Sequence, residues 1–140
     1  MKKTSTLTMI TAFSVLLCIA VTCKNGNNSD DPPHKQLTLL TPLGGAGVQY
    51  AVGDSVTIMW TVDNTIPGCQ PIASVAVMYS TDGGATFPFG IRNTSFPTDT
   101  TSYRWGVENI HVSNQFKIKI YDYNDASNAS DQSASFIIVP

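Results

Sequence analysis

From residue 36 onward the chain alternates apolar and polar side chains with a period of two, in short runs broken by turn residues. The runs cover residues 36–41, 55–61, 73–80, 87–93, 102–107, 116–122 and 133–139. β-Branched and aromatic residues fill them, which suits a pleated, half-buried surface. Gly44-Gly45, Asp82-Gly83-Gly84, Pro97-Thr98-Asp99 and Asn124-Asp125 punctuate the pattern as turns. No stretch keeps a helical period.

Alternation assigns the faces. Val56, Ile58 and Trp60 fall on one side of the second run, with Thr57, Met59 and Thr61 on the other. Val75, Val77 and Tyr79 group together, as do Tyr103, Trp105 and Val107. Phe116, Ile118 and Ile120 oppose Lys117, Lys119 and Tyr121, and Phe136 pairs with Ile138. Seven short strands in about 100 residues predict an all-β fold, an antiparallel β-sandwich of immunoglobulin or fibronectin type. The apolar sets become its two inner faces, so Trp60 and Trp105 are expected in the core.

The first 35 residues have a different texture. Lys2 and Lys3 precede an apolar run over 7–21, the length of a signal-peptide core and short for a membrane span. The run ends at Ala20-Val21-Thr22-Cys23, and a polar string follows. A cysteine at that junction resembles the lipobox of bacterial lipoproteins. The resemblance implies diacylation of Cys23 with palmitate-type chains and a new N-terminus there. Cys18 fits less well, because bulky Leu17 precedes it. Plain signal-peptidase cleavage after Thr22 and an uncleaved anchor are the competing readings. The expected organisation is a signal peptide over 1–22, a lipidated cysteine and flexible tether over 23–35, and a β-sandwich over 36–140. The tether lacks apolar residues and cannot form a core. It would span roughly 20 Å. Lys24 followed by Asp30-Asp31 loosely resembles the surface-export signal of Bacteroidetes lipoproteins. The expected location is the bacterial cell envelope, at the outer membrane or cell surface.

Charge narrows the partners. The formal charge of −2 becomes −4 once Lys2 and Lys3 leave with the signal. A mildly acidic body without a basic cluster argues against nucleic acid and anionic head groups. Of three cysteines, Cys18 leaves and Cys23 carries lipid, so Cys69 is expected to stand alone, without an intrachain disulfide.

Constellations for catalysis are thin. Glu108 is the only glutamate, so a glycosidase pair would have to come from turn aspartates. His34 lies in the tether and His111 in a loop, which leaves little for a zinc site or a nucleophile–histidine pair. Asp122, Asn124, Asp125 and Asp131 suggest calcium, but Ala126 and Ser127 break an EF-hand loop. The reading is a non-enzyme with no metal and no cofactor.

Residues 80–87 contain Ser80, Asp82, Gly84, Thr86 and Phe87 at the spacing S-x-D-x-G-x-T-F. They resemble the Asp-box of sialidase-type propellers, a structural hairpin turn. Asp82 is expected to accept backbone N–H groups, Gly84 to take a positive φ, and Phe87 to pack beneath. One copy cannot build a propeller.

A wider order of motifs runs Gly53-Asp54-Ser55-Val56-Thr57-Ile58-Met59-Trp60, Val75-Ala76-Val77-Met78-Tyr79-Ser80, Ser102-Tyr103-Arg104-Trp105, Phe116-Lys117-Ile118-Lys119-Ile120 and Asp131-Gln132-Ser133-Ala134-Ser135-Phe136. In this order the chain, over about residues 37–139, resembles the Ser/Thr-rich GPI-anchored membrane protein family and its bacterial Ig-like relatives. The resemblance implies a cell-surface module whose matching residues are framework. It carries no catalytic residue. The expected function is a membrane-anchored extracytoplasmic binding module for a glycan or a surface protein. The alternative is a wall- or surface-polysaccharide assembly factor. Outward parity on the third, sixth and seventh strands exposes Ala76, Met78, Lys117, Lys119, Tyr121, Ile137 and Val139. Met78, Lys117, Lys119, Tyr121 and Ile137 form the candidate binding patch.

Overall fold

The computed structural model describes residues 35–140. The expected signal peptide, Cys23 and nearly all of the tether lie outside the described residues. The remainder is a β-sandwich. One sheet has three antiparallel strands in the order β1 (Leu37–Thr41), β3 (Ser55–Val62) and β7 (Ser102–Gly106). The second runs β2 (Gln49–Ala51), β10 (Phe136–Val139), β8 (Ser113–Asp122), β4 (Ser74–Ser80) and β5 (Phe89–Gly90). Two short strands lie off that path: β6 (Phe96–Pro97) pairs with β4, and β9 (Ser130–Gln132) pairs with β8.

The faces follow the alternation. Val56, Ile58, Trp60, Val75, Val77, Tyr79, Trp105, Phe116, Ile118, Ile120, Phe136 and Ile138 are all buried. Their rings supply much of the cross-sheet packing. Phe116 stacks against Trp105 at 5.4 Å and Tyr79 at 5.2 Å, and Trp60 meets Phe96 at 5.2 Å. Each such ring buries on the order of 150–250 Å².

Four expectations are corrected. The sandwich is not wholly antiparallel, because β2 runs parallel to β10. After β1 the chain crosses to the other sheet through a glycine turn, and so enters beside β10 in the same direction. Gly44 makes the crossing possible: its φ is 70°, and a Cβ there would lie 2.2 Å from the Ala134 carbonyl oxygen. The expected strand over 87–93 shrinks to Phe89–Gly90, since Pro88 has no N–H to give a ladder. Ala76 is buried rather than exposed, because it is small and sits in register with Tyr121. Finally, Cys69 is disulfide-bonded. The expectation of a lone thiol concerned a processed chain, whereas the full chain keeps Cys18 and Cys23, both outside the described residues.

The Cys69 loop is held by amides. Gln36 Nε2 donates to the Gln70 carbonyl at 2.7 Å, and Asn128 Nδ2 donates to the same oxygen at 3.1 Å. Asn64 spans the loop base, accepting from the Ile72 N–H at 2.9 Å and donating to the Ile72 carbonyl at 2.9 Å.

Candidate binding groove

Strand β7 positions the site. Its odd residues bond to β3; beyond its start, the Trp60 N–H donates to the Thr101 carbonyl at 3.0 Å in the same phase. The N–H and C=O groups of Ser102, Arg104 and Gly106 therefore point away from β3. Among the described residues β7 has no neighbour on that side. The inward side chains are Tyr103 and Trp105.

A groove of about 430 Å³ runs along this open edge. Tyr103, Trp105 and Gly106 line one side, and Gly90, Ile91 and Asn93 the other. Tyr79 and His111 contribute buried walls, and Glu108 and Ile110 flank one end.

A 3-10 turn at Asn109–His111 folds the histidine back under the sheet edge. Its ring meets Trp105 at 4.9 Å and Tyr79 at 5.0 Å, both edge to face. The Glu108 N–H donates to His111 Nδ1 at 2.8 Å. Nδ1 therefore carries no proton, and the neutral ring holds its proton on Nε2. Burial pushes the His111 pKa below the ordinary value, opposed by the Glu108 carboxylate. Burial first, then the Glu108 charge, pushes the Tyr79 hydroxyl upward. Glu108 is thus the neighbouring carboxylate that both groups sense. Arg92 is turned aside, its guanidinium 5.2 Å from the Phe96 ring. Among the described residues no three His, Cys, Asp or Glu side chains converge as metal ligands.

No family model, curated protein or solved structure matches the chain. The reading of the site therefore rests on its geometry.

The Asp-box residues form one turn. Asp82 Oδ1 accepts from Ser80 Oγ at 2.5 Å and from the Thr86 N–H at 3.0 Å, and Asp82 Oδ2 accepts from Thr86 Oγ1 at 2.6 Å. Ser80 Oγ accepts from the Gly84 N–H at 2.8 Å. These bonds, the Ser80 hydroxyl first, hold the Asp82 carboxyl far below the usual carboxylate range. Gly83 and Gly84 both have positive φ.

The turn lies over the expected patch. Lys119 Nζ sits 5.6 Å from the Phe87 ring centroid, and a Cβ on Gly84 would come within 3.0 Å of Lys117 Cδ. Met78 faces Lys119 in register, with Tyr121 and Lys117 beside it on β8. Ile137 sits apart on β10, in register with Gln49. Four of the five patch residues are therefore gathered, and all five are half-buried.

Sequence reading missed the groove. It placed Trp105 and Tyr79 in the core, where they are, and left Glu108 and His111 as isolated polar residues. The available signal was spacing: the single glutamate stands three residues before the one histidine of the domain, directly after an edge strand.

Proposed function

We propose that the chain is a membrane-anchored, extracytoplasmic Ig-like binding module whose ligand, a glycan or a surface protein, seats in the groove along β7. The observation that carries this reading is the groove itself, open along a strand edge and closed behind by buried rings. The family resemblance, with its cell-surface modules, supports the same reading. The anchor rests on the apolar run ending at Cys23 and the polar string that follows. A sulfur holds either a thioether lipid or a disulfide, so acylation of Cys23 excludes a Cys23–Cys69 bridge in the same molecule.

Two measurements test the reading. Cys23→Ala should move the protein from the detergent phase to the aqueous phase; fatty-acid labelling that persists in the variant rejects Cys23 as the acceptor. A photoreactive residue at Asn93 should crosslink a ligand in intact envelopes, whereas the same residue at Ser130, exposed on β9 and paired to β8 away from the β7 edge, should not. Equal labelling from both positions rejects the groove.

A further inference from the structure

Strand β7 ends the three-stranded sheet with its polar backbone unused. Ser102, Arg104 and Gly106 direct their N–H and C=O groups into open space, and among the described residues no hydrogen bond reaches them from that side. Gly106 adds no side chain, and a Cβ there would meet nothing within 4 Å. An exposed edge of this kind is a template for another strand.

The rings of the groove favour a strand over a sugar. A sugar stacks on an open aromatic face. Both faces of Tyr79 are taken, by Phe116 at 5.2 Å and Phe89 at 5.3 Å, each near parallel. Trp105 stacks on Phe116 and is met by the His111 ring. Both rings are buried and offer the groove little open face, and the third, half-buried Tyr103, leans on Phe96 at 5.1 Å, so alternate side chains of an extended peptide have these walls to pack against.

We infer that the ligand is an extended polypeptide segment that adds to β7 as a fourth strand and carries an acidic residue beside Arg104. The inference rests on the reading of the groove as the binding site. Arg104 is the one charge on β7, exposed on the outer face. A carboxylate on the neighbouring strand complements it. A second copy of this chain fits badly. Each antiparallel register that pairs three or more residues of two β7 edges sets the two Arg104 side chains directly opposite or diagonal, where like charges repel.

The test uses the protein extracted in detergent and synthetic ten-residue peptides of alternating valine and threonine. One peptide carries a central aspartate, one a central lysine, and one is the aspartate peptide N-methylated at alternate residues. A neutral gluco-oligosaccharide is the comparator. The aspartate peptide should slow hydrogen exchange at the Arg104 and Gly106 amides and bind more tightly than the lysine peptide. N-methylation should weaken binding about tenfold or more, since each lost pairing removes a backbone hydrogen bond. Arg104→Pro deletes an outward N–H that β3 does not use, a place where an edge strand tolerates proline. It should weaken binding to a similar degree, while the N-methylated peptide keeps the test valid on unaltered protein. Failure of every peptide to protect these amides overturns strand addition, and so does protection by the oligosaccharide alone. The Asn93 crosslink then decides the rest: if it persists, the groove stands as a binding site, and if it is silent both readings fall.

Discussion

The two edges of the three-stranded sheet are finished in opposite ways. On β1 the outward N–H of Leu39 donates to Asp131 Oδ2 at 3.0 Å, and Asp131 Oδ1 accepts from Lys35 Nζ at 3.0 Å. Asp131 belongs to β9, on the other sheet. One carboxylate therefore blocks the β1 edge and pins the two sheets together. On β7 no side chain among the described residues does this, and a groove lies where the blocking residue would be. Natural sheets protect edges because unpaired backbone recruits other chains. A fold that protects one edge and leaves the other open beside buried aromatic walls separates a structural edge from the edge proposed to take the ligand.

The largest expected effect falls behind the open edge. Trp105 is 4% exposed. Trp105→Ala should cost about 3–5 kcal/mol, because the cavity would open beneath β7. Urea denaturation measures it; a loss below about 1 kcal/mol would place the ring outside the cooperative core.

Next comes the closed edge. Asp131→Ala removes a charge-assisted acceptor from the Leu39 N–H and should cost about 1.5–3 kcal/mol. Hydrogen exchange at Leu39 should rise more than exchange at β7 amides. A uniform rise across both edges would mean that Asp131 contributes to global stability without guarding β1.

Acid should act on the groove side. The His111 pKa is lowered from 6.5 by burial. Below that value the unfolded chain takes up a proton that the folded chain resists. The contribution to stability is therefore complete above pH 6.5 and declines as pH falls. Protonation at Nδ1 would also break the bond from the Glu108 N–H. Unfolding followed between pH 7.5 and 5 should show this decline, and His111→Gln should flatten it. An equal slope in the variant assigns the decline to other groups.

The smallest effect is that of Lys35→Ala. Its amine is exposed, and an exposed pair is worth at most about 1 kcal/mol. Leu39 exchange should barely change, since Asp131 keeps that bond. A cost as large as that of Asp131→Ala would make the ion pair, rather than the backbone cap, the guard of β1.

The strand faces were legible because period two is a local property. Val56, Ile58 and Trp60 must turn the same way wherever the strand lies. The pairings of β5, β6 and β9 were not legible, since two or three residues cannot establish a period. The parallel entry of β2 depends on where the Gly44 turn delivers the chain, which is a tertiary fact. The same holds for Asp131. Its sequence neighbours suggest a solvated turn acid, yet its carboxylate caps a strand 92 residues away. His111 reads from the sequence as a loop residue, and its burial comes instead from a short 3-10 turn that no periodicity announces. The expected patch was read from outward parity, which says nothing of the Asp82 turn lying across Lys117 and Lys119.

The Asp131 contact also sets how the sandwich carries load. Lys35 and Gln36 lead directly into β1, and the open edge lies two ladders away across β3. A pull at the start of β1 against a weight held at β7, when it runs along the strands, shears both ladders. In shear the hydrogen bonds of a ladder bear tension together, and the sheet resists as a unit instead of unzipping. The Asp131 carboxylate diverts part of that tension into the second sheet at the point of entry. Lifetime under force follows the unfolding rate rather than equilibrium stability, so a contact tying β1 to the second sheet is placed to lengthen the time the domain holds under load.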